Sequence, residues 1–394
     1  MSGLPSYKAH FSRFLNARPG RLHAAAHSHH PWPDASFEAQ QRAWLDAAEL
    51  MDRKWDKVLG EVLPRAQAHV ARRLALPSPD SLCFAPNTHE LVMRLLSCIE
   101  RRPLRVLTTD AEFHSFARQL LRLEEAGQAR AERVAAEPFD TFAERFGNAA
   151  ARGGHDLVYF SQCFFNSGFL VQDPGALAGA VRDEATLVAI DGYHAFMALP
   201  VDLSALTARV FYLAGGYKYA MAGEGACFMH CPPGYAPRPL DTGWFAGFAG
   251  LPGPAQAVDY APGGMRFMGA TFDPTALYRL NASLDLCDTL ALDPATIHAR
   301  VMHLQQLLLA GLERQGPPVL GRHNLVPAER APRGNFLSFR HPEAAALCAR
   351  LQVLDVVTDC RDDRLRIGLG VYHDPADIDD LLRRLGLCSP GHVS

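Results

Sequence analysis

The chain has 394 residues, 48% hydrophobic and 21% charged, which is enough apolar material for a sizeable core divided over two or three structural units. A formal net charge of −3 and the lack of a basic run exclude nucleic acid as the expected partner. No apolar stretch reaches the roughly 18 residues of a membrane span, so no membrane partner is expected either.

The first residues, Met1-Ser-Gly-Leu-Pro-Ser-Tyr-Lys8, do not lead from charge into an apolar core, so no secretory signal is expected and the cytoplasm is the default location. Next comes a histidine-rich stretch, His23 and then His27-Ser28-His29-His30. In an extended segment His27 and His29 point the same way, and a third ligand could complete a metal site. No acidic or cysteine partner stands at telling spacing, so a solvated or substrate-contacting role is the preferred reading and no metal is expected. Residues 36–75 carry helical periodicity with mixed charge and predict two helices.

Beyond them, short apolar runs alternate with helical patterns: Leu82–Ala85, Leu104–Thr109, Leu157–Ser161, Leu187–Asp191, Val210–Ala214 and Ala226–Met229. Strands separated by helices predict an α/β unit, a mostly parallel mixed sheet between helices, with ligands at the strands' carboxyl ends. A Pro- and Gly-rich stretch from Pro232 to Gly264 marks loops. Helices over Thr275–Leu292 and Pro294–Gln315, strands over Asn335–Phe339 and Arg364–Leu369, and a closing helix at Pro375–Leu385 predict a smaller C-terminal α+β domain. The expected division is an N-terminal arm and helix over 1–48 that join the small domain, a large domain over 49–272, and the small domain over 273–394. Nine cysteines, at 83, 98, 163, 227, 231, 287, 348, 360 and 388, contain no Cys-x-x-Cys pair and read as reduced, mostly buried thiols.

The chemistry concentrates in Tyr212-Leu-Ala-Gly-Gly-Tyr-Lys-Tyr-Ala-Met-Ala-Gly-Glu-Gly-Ala226. Here Lys218 sits between two tyrosines in an apolar, glycine-rich setting. Desolvation lowers the pKa of such a lysine and frees its lone pair for imine formation with an aldehyde. Asp191 ends the preceding apolar run, and His194 follows three residues later. An aspartate at one strand tip and a lysine after the next strand is the arrangement that pyridoxal 5'-phosphate needs, the acid keeping the ring nitrogen protonated and the lysine carrying the cofactor. A phosphate site also needs a helix N-terminus. In Ala85-Pro-Asn-Thr-His-Glu90, Asn87 can cap, Glu90 is the capping-box partner, and Thr88 offers a hydroxyl and an N–H to a dianion. Alone this would read as a capped surface helix; with Asp191 and Lys218 it reads as a phosphate site.

Taken together these residues resemble the fold type I pyridoxal-phosphate enzymes of aminotransferase class V, and within them kynureninase, over roughly residues 22–385. Three segments carry the resemblance. Tyr217-Lys218-Tyr219 has the tyrosine that kynureninases place before the lysine. His27-Ser-His-His-Pro-Trp-Pro33 is similar to the family's Asn-Ser-Leu-Gly-Pro-Leu-Pro. Thr242-Gly-Trp-Phe245 is similar to its Gly-Trp-Phe-Gly loop. Two places depart from the pattern: His29-His30 replaces Leu-Gly, and Ala246-Gly247 stands where the family has Gly-His.

The resemblance implies that Lys218 holds the cofactor as a Schiff base and that Asp191 binds the pyridine nitrogen. His194 would support the ring's other edge, Thr88 with Asn87 would bind phosphate together with Tyr217 and Trp244, and Phe113 would stack on the ring. Arg366 would grip the substrate α-carboxylate, with His27, Ser28 and His29 near the substrate. Thr271 would reach a neighbouring subunit's cofactor, which implies a homodimer with shared sites. The implied reaction is hydrolytic Cβ–Cγ cleavage of kynurenine or a related γ-keto amino acid, with Lys218 moving the α-proton. Tyr217 either handles a later proton, its phenol lowered in pKa by neighbouring positive charge, or only hydrogen-bonds phosphate. A class V aminotransferase or epimerase would use the same Lys218, Asp191 and Arg366. A cysteine desulfurase needs a loop cysteine, whereas Cys348 falls in a helical pattern. A non-catalytic binding protein on this fold is disfavoured by the retained Lys218, Asp191 and Thr88.

Overall fold

A computed structural model describes residues 5–250, 258–314 and 319–388. Gln315, where the second C-terminal helix was expected to end, lies outside the described residues, as do residues 251–257 of the Pro232–Gly264 loop stretch and the extremes of the two terminal units.

Among the described residues twelve strands occur in chain order: β1 (Leu22–His23), β2 (Leu82–Ala85), β3 (Leu104–Thr109), β4 (Ala129–Val134), β5 (Leu157–Ser161), β6 (Leu187–Asp191), β7 (Val210–Gly215), β8 (Cys227–His230), β9 (Phe336–Arg340), β10 (Val356–Val357), β11 (Asp359–Arg361) and β12 (Arg364–Gly368). Seven of them form one sheet in the order β2-β8-β7-β6-β5-β3-β4. All its pairings are parallel except those made by β8, which is antiparallel to both β2 and β7. The sheet is therefore mostly parallel and mixed, as its sequence pattern predicts.

Both faces of the sheet are covered, which is why the strands read as continuous apolar runs rather than alternating ones. Val106, Tyr159, Phe211 and Leu213 pack with Leu91 and Leu95 of helix Thr88–Leu96 and with Phe116 and Leu120 of helix His114–Glu125. Phe160, Val188, Ile190 and Tyr212 face the other way, toward Phe142 and Phe146 of helix Phe142–Arg152. Strand β4, Ala-Arg-Ala-Glu-Arg-Val, was not expected. It is an edge strand with only Ala129 fully buried, so it lacks the apolar signal of its neighbours.

The C-terminal part contains a three-stranded antiparallel sheet, β11-β12-β9, with helices Pro294–Arg314, Ala344–Val353 and Pro375–Gly386. The N-terminal segment joins it directly. β1 pairs in parallel with β10, Leu22 opposite Val356, and Ala25 bridges to Gly368 at the end of β12. Helix Asp34–Leu50 then lies against helix Thr275–Thr289, where the Tyr278 hydroxyl donates to Asp46 Oδ2 at 2.9 Å. The histidine segment is thereby carried to the carboxyl edge of the large sheet.

Candidate functional site

Asp191 ends β6, and Lys218 lies three residues past the end of β7, the next parallel strand. Glycine makes the turn between β7 and Lys218 possible. A Cβ on Gly215 would lie 2.5 Å from Cys227 Sγ and 2.7 Å from the Tyr193 hydroxyl, so only glycine lets Tyr193 close over this turn. The Lys218 ammonium nitrogen sits 5.1 Å from the centroid of the Tyr193 ring and hydrogen-bonds His194 Nε2.

Asp191 accepts the Tyr193 N–H at 2.9 Å and the Tyr159 hydroxyl at 3.1 Å. Burial raises its carboxyl above the usual range, while the Tyr193 N–H, the charge of Lys218 and the Tyr159 hydroxyl pull it back. Burial likewise lowers Lys218 to about 7, against the attraction of Asp191 and with the help of Arg366. Burial, then Lys218, His27 and Arg366, hold the His194 imidazole well below its usual value. At neutral pH the site thus offers a buried acid, a neutral imidazole and an amine half in its nucleophilic form.

These groups line a cavity of about 660 Å³. One end is the N-terminus of helix Thr88–Leu96, where Asn87 Oδ1 caps the Glu90 N–H at 2.9 Å and Thr88 faces the cavity. The capping residue and the helix dipole suit a phosphate there. Phe113, which precedes helix His114–Glu125, borders the cavity with its ring edge-on to Phe165 at 5.4 Å. At the opposite end Arg366 projects from β12, held by the Phe165 carbonyl and the Asp359 carboxylate and flanked by the rings of Phe165 and Phe336.

His27 and Ser28 complete the wall. The expectation of an extended histidine segment is corrected: residues 26–28 form a turn, with the N–H groups of Ser28 and His29 both bonded to the Ala25 carbonyl. The two rings consequently diverge. His27 stacks on Phe336 at 4.4 Å, and His29 stacks on Tyr217 at 5.1 Å, behind the cavity lining. Among the described residues the histidine segment forms no cluster that converges on a metal; the one convergent group, His69, Asp285 and Asp288, is cross-linked by Arg65, Arg72 and Arg73. His27 is fully buried with neither ring nitrogen hydrogen-bonded, and burial with Arg366 and Lys218 holds it neutral.

A second correction concerns Tyr217. Its phenol is pushed up rather than down, by burial and by Glu224. Trp244 and Thr271 do not line the cavity with the other cofactor candidates. They hydrogen-bond to each other, Trp244 Nε1 to Thr271 Oγ1 at 3.3 Å, and both are exposed. Cys348 lies half-buried inside helix Ala344–Val353, and all nine cysteines are free thiols. The sequence reading missed Tyr193, Tyr159, Glu112, Ser161 and Asp359. Of these, Ser161 and Tyr159 had a usable signal, since they alternate along a strand that ends beside Asp191.

A buried amine of low pKa, a buried acid at a strand tip and a capped helix N-terminus within one cavity fit a phosphorylated pyridine aldehyde. Comparisons with known proteins point the same way. Residues 297–385 match the kynureninase C-terminal domain family. A kynureninase of Deinococcus radiodurans is 31% identical over 207 residues, 50% of this chain and 48% of its own. One from Pseudomonas fluorescens is 27% identical over 241 residues, 58% of this chain and 55% of its own. The chain thus spans about half the length of the curated relatives it matches. Among solved structures, a C-DES mutant with glycine covalently linked to its pyridoxal-phosphate cofactor superposes with a TM-score of 0.82 at 18% identity, covering 97% of this chain and 99% of that one. The apo cysteine desulfurase of Thermococcus onnurineus NA1 does so at 0.80 with 15% identity, covering 99% and 100%. In sequence the chain is kynureninase-like, and its fold is that of the fold type I pyridoxal-phosphate enzymes.

Proposed function

We propose that this chain is a pyridoxal 5'-phosphate-dependent enzyme acting on an amino acid, and that its reaction is the kynureninase-like hydrolysis of a Cβ–Cγ bond, releasing alanine and an acid. The observation that carries the reading is the buried Lys218 amine, brought to about 7, beside Asp191 in a cavity that ends in Arg366. When bound, the cofactor supplies an electron-poor ring able to stabilise negative charge at the substrate's α-carbon.

The residues then have separable tasks. Asp191 holds the proton on the ring nitrogen, its ionised form supported by the Tyr193 N–H and the Tyr159 hydroxyl. Helix Thr88–Leu96 takes the phosphate through Asn87 and Thr88, and Phe113 lies against the ring. Lys218 Nζ, whose free-amine form burial makes available near neutral pH, removes the proton from the substrate α-carbon, and His194 Nε2 hydrogen-bonds that nitrogen. Arg366 binds the α-carboxylate, with His27 and Ser28 beside it and His29 supporting Tyr217 from behind. The Tyr217 phenol keeps its proton at neutral pH and acts as a donor. Trp244 and Thr271, paired away from this cavity, act on the cofactor of a second subunit in a shared-site homodimer.

The competing enzymatic reading is a transaminase or epimerase, which would use the same lysine, aspartate and arginine. A desulfurase is disfavoured by the helical, half-buried position of Cys348. The deciding experiment incubates the cofactor-loaded protein with L-kynurenine and with 3-hydroxykynurenine and follows aryl acid and alanine together. Equal amounts of the two products support hydrolysis. Pyridoxamine phosphate without aryl acid would overturn it in favour of transamination.

A further inference from the structure

Glu112, the residue before Phe113, is a buried acid that the reaction above does not use. It stands between β3 and helix His114–Glu125. Its Oε1 accepts the Thr109 hydroxyl at 2.6 Å and the Ser161 N–H at 3.2 Å, and its Oε2 lies 2.6 Å from the Ser161 hydroxyl. One carboxyl thereby ties the loop that carries Phe113 to the end of β5. Ser161 in turn is the register partner of Asp191 on β6, and both line the cavity.

The groups that face Glu112 are few. Thr109 comes from β3, Ser161 and the Tyr159 phenol from β5, and the charged group acting on it, Asp191, from β6. Burial pushes the Glu112 carboxyl up to about 7, against the hydrogen bonds of Ser161 and Thr109 and with added repulsion from Asp191. Two ionised carboxylates so close in a buried site repel, and Asp191 has the Tyr193 N–H and Lys218 to favour its charged form. Glu112 therefore passes between its ionised and protonated forms near neutral pH.

We propose that Glu112 is a positioning residue that sets the direction of the Ser161 hydroxyl toward the cofactor; the proposal rests on the cofactor reading above. When Glu112 is ionised, the Ser161 O–H donates to Oε2, and only oxygen lone pairs face the cavity. When Glu112 is protonated, its own O–H donates to Ser161 Oγ, and the serine proton is released to donate into the cavity. Serine thus changes from acceptor to donor without moving a heavy atom, because a hydroxyl rotates to suit its partners. Asp191 and Ser161 are then tuned together by a third residue that touches neither substrate nor cofactor.

The test reconstitutes the wild type, Glu112→Gln, Ser161→Ala and the double variant with pyridoxal 5'-phosphate. The pH midpoint of the bound cofactor's visible absorbance is followed beside thermal unfolding. Glu112→Gln mimics the protonated acid and should shift that midpoint by roughly half a pH unit or more, and the shift should be markedly smaller in the Ser161→Ala background, where only the lost repulsion on Asp191 remains. A shift of undiminished size without the serine overturns the proposal, as does a lowered unfolding temperature with an unmoved midpoint. Should Glu112→Gln fail to fold, Thr109→Val removes one donor to the carboxylate and should move the midpoint in the same direction; no movement there is equally fatal. Wild-type protein that takes up no cofactor would instead sink the reading of the whole site, which is a separate failure.

Discussion

Asp359 and Arg366 face each other in register across the β11–β12 pair and join carboxylate to guanidinium, yet only the arginine lines the cavity. The acid sits behind its partner and fixes the guanidinium plane, which the Phe165 carbonyl and two flanking rings also hold. Charge-assisted hydrogen bonds contribute about 1.5–3 kcal/mol, so Arg366→Lys should raise KM about tenfold to a hundredfold with a smaller change in kcat. Asp359→Asn should move KM in the same direction by less. Steady-state kinetics of both variants check this, and an unchanged KM in Arg366→Lys removes the arginine from carboxylate binding.

The lowered pKa of Lys218 predicts how fast the protein captures its cofactor. The neutral amine is the reactive form, so its fraction rises with pH through about 7, where a solvated lysine would stay protonated until about 10.4. Stopped-flow mixing of apoprotein with pyridoxal 5'-phosphate should give a rate that climbs between pH 6 and 8, with its midpoint near 7. A rate still rising steeply at pH 9 would mean that burial does not tune this amine. Lys218→Ala should lose all visible absorbance on dialysis.

Asp191→Asn preserves shape and removes charge. Preorganised electrostatic groups of this kind contribute about a hundredfold to a thousandfold in rate, and a loss of that size in kcat is expected, with cofactor affinity reduced less. Activity within a few fold of wild type would show that the ring nitrogen needs no acid here.

Gly368 closes β12 and lies against the histidine turn. A Cβ there would fall 2.1 Å from His27 Nδ1, and its own N–H is committed to the Ala24 carbonyl at 2.8 Å. Gly368→Ala should therefore destabilise the protein by about 1–3 kcal/mol and displace His27 from the cavity wall. Denaturant unfolding and substrate KM are the two readouts. An alanine variant of wild-type stability would mean that the turn yields freely.

Much of the site could be read from the sequence because its determinants are local. Lys218 announces itself by apolar neighbours, Asp191 by ending an apolar strand, and Asn87 by standing three residues before Glu90 at the start of an amphipathic helix. The strands of the sheet centre are equally plain, since burial on both faces leaves an unbroken apolar run. What escaped reading depends on pairing between distant segments. β4 is polar because it lies at an edge, and the histidine segment turns because Ala25 bridges to Gly368, a partner no local pattern announces. The pKa of Tyr217 departs from expectation because adjacency to a lysine suggests positive charge, whereas burial of the phenol and the charge of Glu224 decide it.

The shared burial of Lys218 also makes that lysine dependent on both ends of the sequence. The walls around Lys218 come from residues 27–28 at one end of the sequence and from Arg361 and Arg366 near the other. A lysine without those walls would lie in water and keep a pKa of about 10.4. The tuning of this amine therefore requires the two ends of the sequence to meet over the sheet, as they do where Ala25 bridges to Gly368.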